Sequence, residues 1–241
     1  MQIIWYGQSL FEIIAIPKKN SQVKIVIDPF DESLGLKIPK LEADILLVTH
    51  SHCDHNNIKS IIGNPFLINN PGEYEVKNAI IQGIPSFHDN SRGQERGENT
   101  IYTIEVEDLK ICHLGDLGQR ELTEEQLEKI GEVDILMIPV GGTYTISSKE
   151  APKIMSQIEP KITIPMHYSL PTHFVGTQKI HPVKSREGVS SLTKSFNRVK
   201  LDSVDKFLKV FGIRSLTPAK KLSIKKKDLS PEEAKIIILT P

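Results

Sequence analysis

The chain has 241 residues, of which 39% are hydrophobic and 25% are charged, as in globular proteins with a substantial buried core. Its 30 basic side chains balance its 30 acidic ones, so no overall field attracts nucleic acid or a membrane surface. No apolar run approaches the ~20 residues that cross a bilayer. We therefore expect one domain over residues 1–241, with no nucleic-acid partner and no integral-membrane segment, while homo-oligomerisation stays open.

Two features of the sequence favour a cytoplasmic location. The chain has only two cysteines, Cys53 and Cys112, which are too few for a disulfide framework and which we interpret as packing residues. The first residues also lack the basic region and the cleavage site of a signal peptide. Both features fit a reducing compartment.

The chain opens with three β-rich runs, at residues 2–6, 9–16 and 23–27, separated by short polar turns. This spacing predicts an antiparallel meander. The meander ends at Asp28-Pro29, because proline has no N–H group to give to a sheet. An aspartate before proline is common in turns, so a turn alone would explain Asp28.

The next element carries a cluster of metal-binding residue types. Residues 43–48 form a short apolar run, which predicts a buried strand, and it leads into the pattern H-x-H-x-D-H at residues 50–55. Residues two apart in an extended chain point to the same side, so His50 and His52 can approach one metal ion together. Asp54 and His55 fall where the chain turns, and we expect them to point to a second ion. Imidazole and carboxylate ligands favour Zn²⁺, with Mn²⁺, Fe²⁺ and Ni²⁺ as the alternatives.

This pattern behind an apolar strand resembles the signature of the metallo-β-lactamase superfamily of metal-dependent hydrolases. The resemblance implies an α/β (α+β) fold, a four-layer αβ/βα sandwich of two mixed sheets flanked by helices. It also implies a metal site with one or two ions at one edge of that sandwich.

Further elements follow in the order that the resemblance implies. Residues 56–62 are predicted to form a short helix, and residues 66–68 and 79–84 are predicted strands. His88 then resembles the ligand that completes a three-histidine site with His50 and His52.

A predicted hairpin at residues 100–106 and 109–114 leads to Asp116. This residue resembles the aspartate that bridges two metals in the superfamily. His113 is a rival for the third histidine position, but the resemblance places a residue that is not a ligand there. We therefore prefer His88.

Two helices, at residues 123–130 and 147–158, are each predicted from a capping box. Residues 133–138 are similar in sequence to residues 43–48, which agrees with a fold of two similar halves. A strand at residues 161–166 leads to His167, which resembles the last ligand of the second site, with Asp54, His55 and Asp116. Asp28 resembles a further motif of the superfamily, an aspartate that supports the site without being a ligand.

The loops offer candidates for substrate binding. Residues 89–98 form a polar, glycine-bearing stretch for which a surface loop is the default interpretation. Because guanidinium matches phosphate and carboxylate groups, Arg92 or Arg96 could instead clamp an anionic substrate. Tyr144, in a turn after residues 133–138, either contacts substrate or packs in its loop. His173 and His181 have the same two interpretations, substrate contact or solvated loop residues.

The resemblance implies hydrolysis by a metal-bound hydroxide, with Asp54 as the catalytic residue that orients it. The motif set is most similar to the branch that contains ascorbate-6-phosphate lactonase and the N-acyl-phosphatidylethanolamine phospholipase. This similarity implies a small anionic substrate of ester type, either a phosphodiester or a lactone. The alternative is a metal-binding sensor or binding protein of the same fold that has no turnover.

Overall fold

The computed structural model describes residues 1–19, 21–170, 200–230 and 233–241, so His173 and His181 lie outside the described residues. Within these ranges the chain forms the following strands: β1 (Gln2–Trp5), β2 (Phe11–Lys18), β3 (Ser21–Ile27), β4 (Leu41–Glu42), β5 (Ile45–Leu47), β6 (Ile61–Ile62), β7 (Phe66–Ile68), β8 (Gly72–Val76), β9 (Ala79–Phe87), β10 (Glu98–Val106), β11 (Leu109–His113), β12 (Ile135–Pro139), β13 (Ile162–Met166), β14 (Leu222–Ser223) and β15 (Lys235–Ile236). Its α-helices are α1 (Glu124–Ile130), α2 (Ala151–Ile158) and α3 (Val204–Val210).

Two large mixed sheets carry the fold. The first has the strand order β14-β1-β2-β3-β5-β7 and is antiparallel as far as β3, after which the strands are parallel. The second has the order β15-β13-β12-β11-β10-β9-β8, parallel from β15 to β11 and antiparallel beyond. The predicted opening meander is confirmed as β1 to β3.

The two sheets pack face to face around one buried cluster, to which Trp5 and Phe11 contribute from the first sheet and Ile104 and Ile111 from the second. Burial of each such side chain stabilises the fold by about 1.5–3 kcal/mol. The hydroxyl of Tyr102 in β10 donates to the carbonyl of Val48, 3.1 Å away, and so links the two sheets beside the metal motif.

Outer layers cover both sheets. Gln126 of α1 donates to the carbonyl of Pro85 in β9 at 2.8 Å, so α1 lies on the second sheet, and α2 packs beside α1. The outer face of the first sheet presents Val26 and Leu46, which a second buried cluster covers with residues such as Phe30. The predicted sandwich of mixed sheets between outer layers is confirmed.

The sequence similarity between residues 43–48 and 133–138 has a structural counterpart. The carboxylate of Asp44 accepts from the backbone N–H of Lys24 at 2.8 Å, and that of Asp134 accepts from the N–H of Lys110 at 2.9 Å. Each aspartate also donates its own N–H to the carbonyl of the same lysine. The two aspartates thus fasten the starts of β5 and β12, each of which lies between two parallel neighbours.

The structure corrects three predicted elements. The helix predicted at residues 56–62 is wrong, because the chain makes a 3-10 turn at Ile58–Ser60 and then enters β6 to pair with β4. The strand β8 is not among the predicted elements, and it lies between the predicted strands at residues 66–68 and 79–84. The second helix begins at Ala151 rather than at residue 147, because residues 147–150 form a separate hydrogen-bonded turn before it.

The cap of α1 matches its prediction. Thr123 accepts from the backbone N–H of Gln126 at 3.2 Å, and the Gln126 side chain accepts from the N–H of Thr123 at 3.0 Å.

Among the described residues, no helix is long and apolar enough to cross a membrane.

Candidate metal centre

The predicted site residues follow the carboxyl ends of strands that run in one direction within each sheet. In the first sheet, β3 is followed by Asp28 and β5 by residues 50–55. In the second sheet, β9 and β11 are both antiparallel to β10, and β13 follows the direction of β11. These three strands lead to His88, Asp116 and His167. The carboxyl ends of parallel strands form one edge of a sheet, where ligands commonly bind.

At this edge, seven side chains come together in two groups, and within each group all the ligand atoms lie within 4.8 Å of one another. One group contains His50, His52 and His88, and the other contains Asp54, His55, Asp116 and His167.

Asp116 connects the two groups. Its Oδ2 lies 3.2 Å from Nε2 of His55, 3.3 Å from Nε2 of His88 and 3.3 Å from Nε2 of His167. Only the fold creates this arrangement, because Asp116 and the three histidines follow different strands and lie far apart in the sequence. A single carboxylate among three imidazole nitrogens is a suitable bridge between two cations.

Hydrogen bonds on the far side of the rings set the tautomers of two histidines. Nδ1 of His55 lies 2.9 Å from Oδ2 of Asp28, and Nδ1 of His88 lies 3.0 Å from the carbonyl oxygen of Tyr144. Both partners are acceptors, so each Nδ1 carries the hydrogen and donates it. In the neutral ring, which is the form that binds metal, Nε2 then carries its lone pair on the side that faces the cluster.

Asp28 supports the cluster through Thr49 as well. Its carboxylate accepts from the backbone N–H of Thr49 at 2.8 Å and from the Thr49 hydroxyl at 2.7 Å. Because the hydroxyl has only one hydrogen, its oxygen accepts from Nδ1 of His50, 3.0 Å away. Asp28 therefore ends the meander and also orients two of the candidate ligands. Sequence reasoning missed Thr49, although its place directly before His50 was a usable signal.

Four ring nitrogens in the cluster have no well-aligned hydrogen-bond partner among the described residues. They are Nε2 of His50, Nε2 of His55 and both ring nitrogens of His167, and all are buried. A buried polar atom that lacks a partner costs about 1–3 kcal/mol, so four at one place require an explanation. Nε2 of His55 and Nε2 of His167 lie beside the Asp116 carboxylate, which fits divalent cations, since imidazole and carboxylate bind them together.

The carboxylates and imidazole rings of the cluster shift the pKa values of one another. Burial opposes protonation of His55 and His167, yet the Asp116 carboxylate overrides it and raises the pKa of both rings. Burial also opposes ionisation of Asp116, but His167 and His55 hold the pKa of its carboxyl well below the usual value. Burial and the neighbouring His55 lower the pKa of His50 to about 2. His50 is thus neutral at pH 7, the form that binds metal.

The turn that carries Asp116 is held by Asn99 of β10. The side chain of Asn99 accepts from the backbone N–H of Asp116 at 3.0 Å and donates to the carbonyl of Leu114 at 2.9 Å. Gly115 between them has φ +56, and an added Cβ would overlap the Asn99 side chain. Sequence reasoning missed Asn99, since nothing in a strand sequence reveals which distant turn its side chain meets.

Gly118 allows the second sheet's loops to approach His88. An added Cβ at Gly118 would overlap the backbone of His88 and Asp89. We therefore expect Gly118→Ala to displace His88, to lower the free energy of unfolding by about 1–3 kcal/mol, and to weaken zinc binding. Calorimetric zinc titration and urea denaturation measure these effects.

Gly131→Ala is the matched control for this change, because Gly131 has φ +60 at the end of α1 and lies outside the cluster. It should cost stability through backbone strain and leave zinc affinity unchanged. Wild-type zinc affinity in Gly118→Ala would contradict the expected displacement.

Two other residues lie differently from the candidate ligands. His113 is fully buried, with Nε2 donating to the carbonyl of Ser9 at 3.0 Å and Nδ1 accepting from the N–H of Gly115 at 3.1 Å. Neither ring nitrogen is therefore free for a metal, and the structure brings His88 rather than His113 into the cluster. Cys53 is exposed, so its interpretation as a packing residue is wrong, whereas Cys112 is buried as predicted.

Comparison with known proteins agrees with this geometry. The sequence profile of the β-lactamase superfamily domain matches residues 2–167, a range that includes all seven candidate ligands. The chain belongs to the metallo-β-lactamase superfamily. A UPF0173 metal-dependent hydrolase from Thermococcus onnurineus is 31% identical over 196 residues, which cover 70% of this chain and 85% of the relative. Another from Thermoplasma volcanium is 32% identical over 198 residues, covering 70% and 84%.

A solved structure extends the similarity over nearly the whole chain. A proposed Zn-dependent hydrolase of the metallo-β-lactamase superfamily from Thermotoga maritima has 32% sequence identity and a TM-score of 0.70. The match covers 99% of this chain and 97% of that one. These relatives place the chain in the UPF0173 family, and it is a metal-dependent hydrolase.

In this metallo-β-lactamase fold, the loop after His88 has a definite structure. The buried carboxylate of Asp89 accepts from the backbone N–H groups of four loop residues, Ser91, Gly93, Glu95 and Arg96, at 2.7–3.0 Å. Burial opposes ionisation of Asp89, but these N–H groups hold the pKa of its carboxyl below the usual value. The role of Asp89 was not predicted, although an aspartate at the start of a glycine-bearing loop is a typical turn signal.

The three candidates for substrate binding lie in two different environments. The guanidinium of Arg96 stacks on the ring of Tyr144, with Cζ 3.1 Å from the ring centroid. Tyr144 in turn accepts from His88 through its carbonyl. Arg92 is exposed on the same loop, at φ +57. The structure thus brings Arg96 and Tyr144 together beside the cluster and leaves Arg92 on the surface.

Proposed function

We propose that this hydrolase cleaves an ester-type bond of a small anionic substrate, a phosphodiester or a lactone, at a site that holds two divalent ions. The first ion is assigned to His50, His52 and His88, and the second to Asp54, His55, Asp116 and His167. The observation that carries this assignment is that buried, unpartnered histidine nitrogens lie in both groups, within 4.8 Å of the other ligand atoms of each group.

Zinc is the ion we propose, with Mn²⁺, Fe²⁺ or Ni²⁺ as alternatives, because the donor set combines imidazole and carboxylate. The relative from Thermotoga maritima, itself a proposed Zn-dependent hydrolase, supports this choice. Bound divalent ions lower the pKa of a coordinated water towards ~7 and so supply a nucleophile at neutral pH.

The two aspartates of the cluster are suited to different tasks. The side chain of Asp54 is 28% exposed and that of Asp116 only 3%, so Asp54 is the carboxylate that a water or substrate in the cleft can reach. Burial opposes ionisation of Asp54, but the neighbouring rings of His167 and His55 lower the pKa of its carboxyl. Asp54 is therefore ionised at pH 7 and can accept a hydrogen bond that orients the attacking water. Asp116 orients the three histidines around it.

The anionic, ester-type substrate is the finer part of the proposal. It rests on the resemblance to the lactonase and phospholipase branch and on the guanidinium near the cluster. We also propose that residues 1–241 act as one domain, because one buried cluster joins both sheets. An exposed free thiol at Cys53 fits a cytoplasmic location.

Metal analysis combined with a substrate panel tests the proposal. The protein is loaded with Zn²⁺ or Mn²⁺, bound metal is measured by elemental analysis, and hydrolysis of bis(p-nitrophenyl) phosphate, lactones and thioesters is followed. We expect two ions per chain and turnover of a phosphodiester or lactone. A His52→Ala, Asp54→Ala double variant should lose that turnover.

Asp108→Asn is the control, because Asp108 is an exposed turn residue away from the cluster. It should keep both ions and full activity. A fully loaded wild-type protein that turned over no member of the panel would contradict the proposed reaction.

A further inference from the structure

We propose that Arg96, stacked on Tyr144, binds the anionic group of the substrate beside the metal cluster, and that Asp89 is the positioning residue that holds it there. The proposal deepens the proposed function and rests on it, because the anion is taken to belong to the substrate of the same cleft. The ligand chemistry is an oxyanion, a phosphate or carboxylate group, which guanidinium binds through two parallel hydrogen bonds.

Two contacts tie Arg96 to the candidate ligand His88. Tyr144 holds the guanidinium with its ring and accepts from Nδ1 of His88 with its carbonyl, so one residue touches both side chains. The backbone N–H of His88 also donates to the carbonyl of Gly97, the residue that follows Arg96. Arg96 is thus attached to the edge of the cluster through both its side chain and its backbone.

The charge of Arg96 is not neutralised within the described part of the chain. Its guanidinium has no carboxylate within ion-pair distance there, and it contacts the uncharged ring of Tyr144. Arg120 shows the usual alternative, since its Nε pairs with Glu150 at 2.9 Å. A half-buried guanidinium that is held by an aromatic face but lacks an anion is prepared for one that arrives with a ligand.

Asp89 fixes the position from which Arg96 extends. Oδ2 of Asp89 accepts from the N–H of Arg96 at 2.8 Å and from that of Glu95 at 3.0 Å. Oδ1 accepts from the backbone N–H groups of Ser91 and Gly93. These bonds fold the loop back towards His88 and fix the backbone of Arg96 before a ligand binds, while the ring of Tyr144 holds its guanidinium. Ordering in advance lowers the entropy that binding must otherwise remove.

Arg92 differs from Arg96 in each respect. It is exposed, it makes no ring contact within the described ranges, and no acceptor in those ranges fixes its guanidinium. The two arginines lie four residues apart in one loop, so Arg92 serves as the matched control for Arg96.

Isothermal calorimetry of the zinc-loaded, full-length protein with phenyl phosphate and with benzoate tests the proposal. We expect Arg96→Gln to weaken binding of one of these anions by about 10-fold to 100-fold, and Arg92→Gln to change it less than about twofold. The anion that responds identifies the group, phosphate or carboxylate. Arg96→Lys should fall between wild type and Arg96→Gln, because ammonium keeps the charge and loses the paired hydrogen bonds.

Elemental analysis must show wild-type zinc content in Arg96→Gln. Asp89→Asn, with zinc retained, should lose part of the same affinity. Equal affinities of wild type and Arg96→Gln for both anions, or an equal loss in Arg92→Gln, would overturn the proposal.

The two proposals fail separately. If the protein hydrolyses no ester while Arg96→Gln alone weakens anion binding, the proposed reaction is wrong and the anion site stands. If esters are hydrolysed and Arg96→Gln binds both anions as wild type does, the anion site is wrong and the reaction stands.

Discussion

An Asp116→Asn variant is expected to bind at most one of the two proposed ions and to lose ester hydrolysis. Asp116 Oδ2 lies within 3.3 Å of Nε2 of His55, His88 and His167. An amide has no negative charge to balance two cations, and it would direct either its oxygen or its N–H group at those nitrogens. Even groups that only support a ligand are worth about 10-fold to 100-fold in metal affinity, so this loss should exceed 100-fold.

Thermal unfolding with and without zinc provides a second measurement of this variant. Metal at ~1,000 times its dissociation constant stabilises a folded protein by about 4 kcal/mol, so zinc should raise the Tm of the wild type clearly. In Asp116→Asn most of that rise should disappear. Asp108→Asn controls for the amide substitution and should keep the full rise. A wild-type response in Asp116→Asn would exclude Asp116 as a bridge.

The second large effect is expected from Asp28→Asn, although Asp28 is not a candidate ligand. Its Oδ2 accepts both the Thr49 hydroxyl and Nδ1 of His55, and its Oδ1 accepts the N–H of Thr49. An amide offers one acceptor oxygen, so an NH₂ group must face at least one of these donors. Where it faces His55, the ring must move its hydrogen to Nε2 and can no longer bind a metal with that nitrogen.

We therefore expect Asp28→Asn to lower zinc affinity by at least about 10-fold and the stability of the metal-free protein by about 1–3 kcal/mol. Backbone strain does not contribute, because Asn tolerates the positive φ of +52 at this position as Asp does. Calorimetric zinc titration and urea denaturation measure the two effects.

Asp44, in the first of the two similar segments, supplies the control for Asp28. Asp44 lies at the start of β5, the end opposite the cluster, where it accepts from the N–H of Lys24 and pairs with Lys77. Asp44→Asn should therefore lower stability without changing zinc affinity. If Asp28→Asn also kept its zinc affinity, the tautomer of His55 would not depend on Asp28.

The H-x-H-x-D-H pattern could be recognised in the sequence because its candidate ligands are neighbours and their spacing alone suits a metal. His88, Asp116 and His167 were predicted from their order in the resemblance, not from any local signal. His113 shows why a local signal is insufficient. It too lies at a strand end, yet its two ring nitrogens are consumed by the backbone of Ser9 and Gly115.

The failed helix at residues 56–62 has a similar cause. The local residues are compatible with a helical turn, but Ile61 and Ile62 pair with Leu41 and Glu42 across a gap in sequence. The N–H of Asn57 also bonds to the carbonyl of Pro29, which holds the segment near the end of the meander. Tertiary pairing thus decides a short element whose own propensity is weak.

Taken by itself, the amino-acid sequence determined the meander, the buried strands, the cap of α1 and the chemical types of the candidate ligands, because these depend on residues close together in the chain. The tertiary structure alone decided that Asp116 lies among three histidines, that Asp28 orients His55, and that Arg96 rather than Arg92 stacks beside His88. Each of these depends on contacts between residues far apart in the chain, or on a backbone path that side-chain hydrogen bonds create. No pattern of nearby residues contains that information.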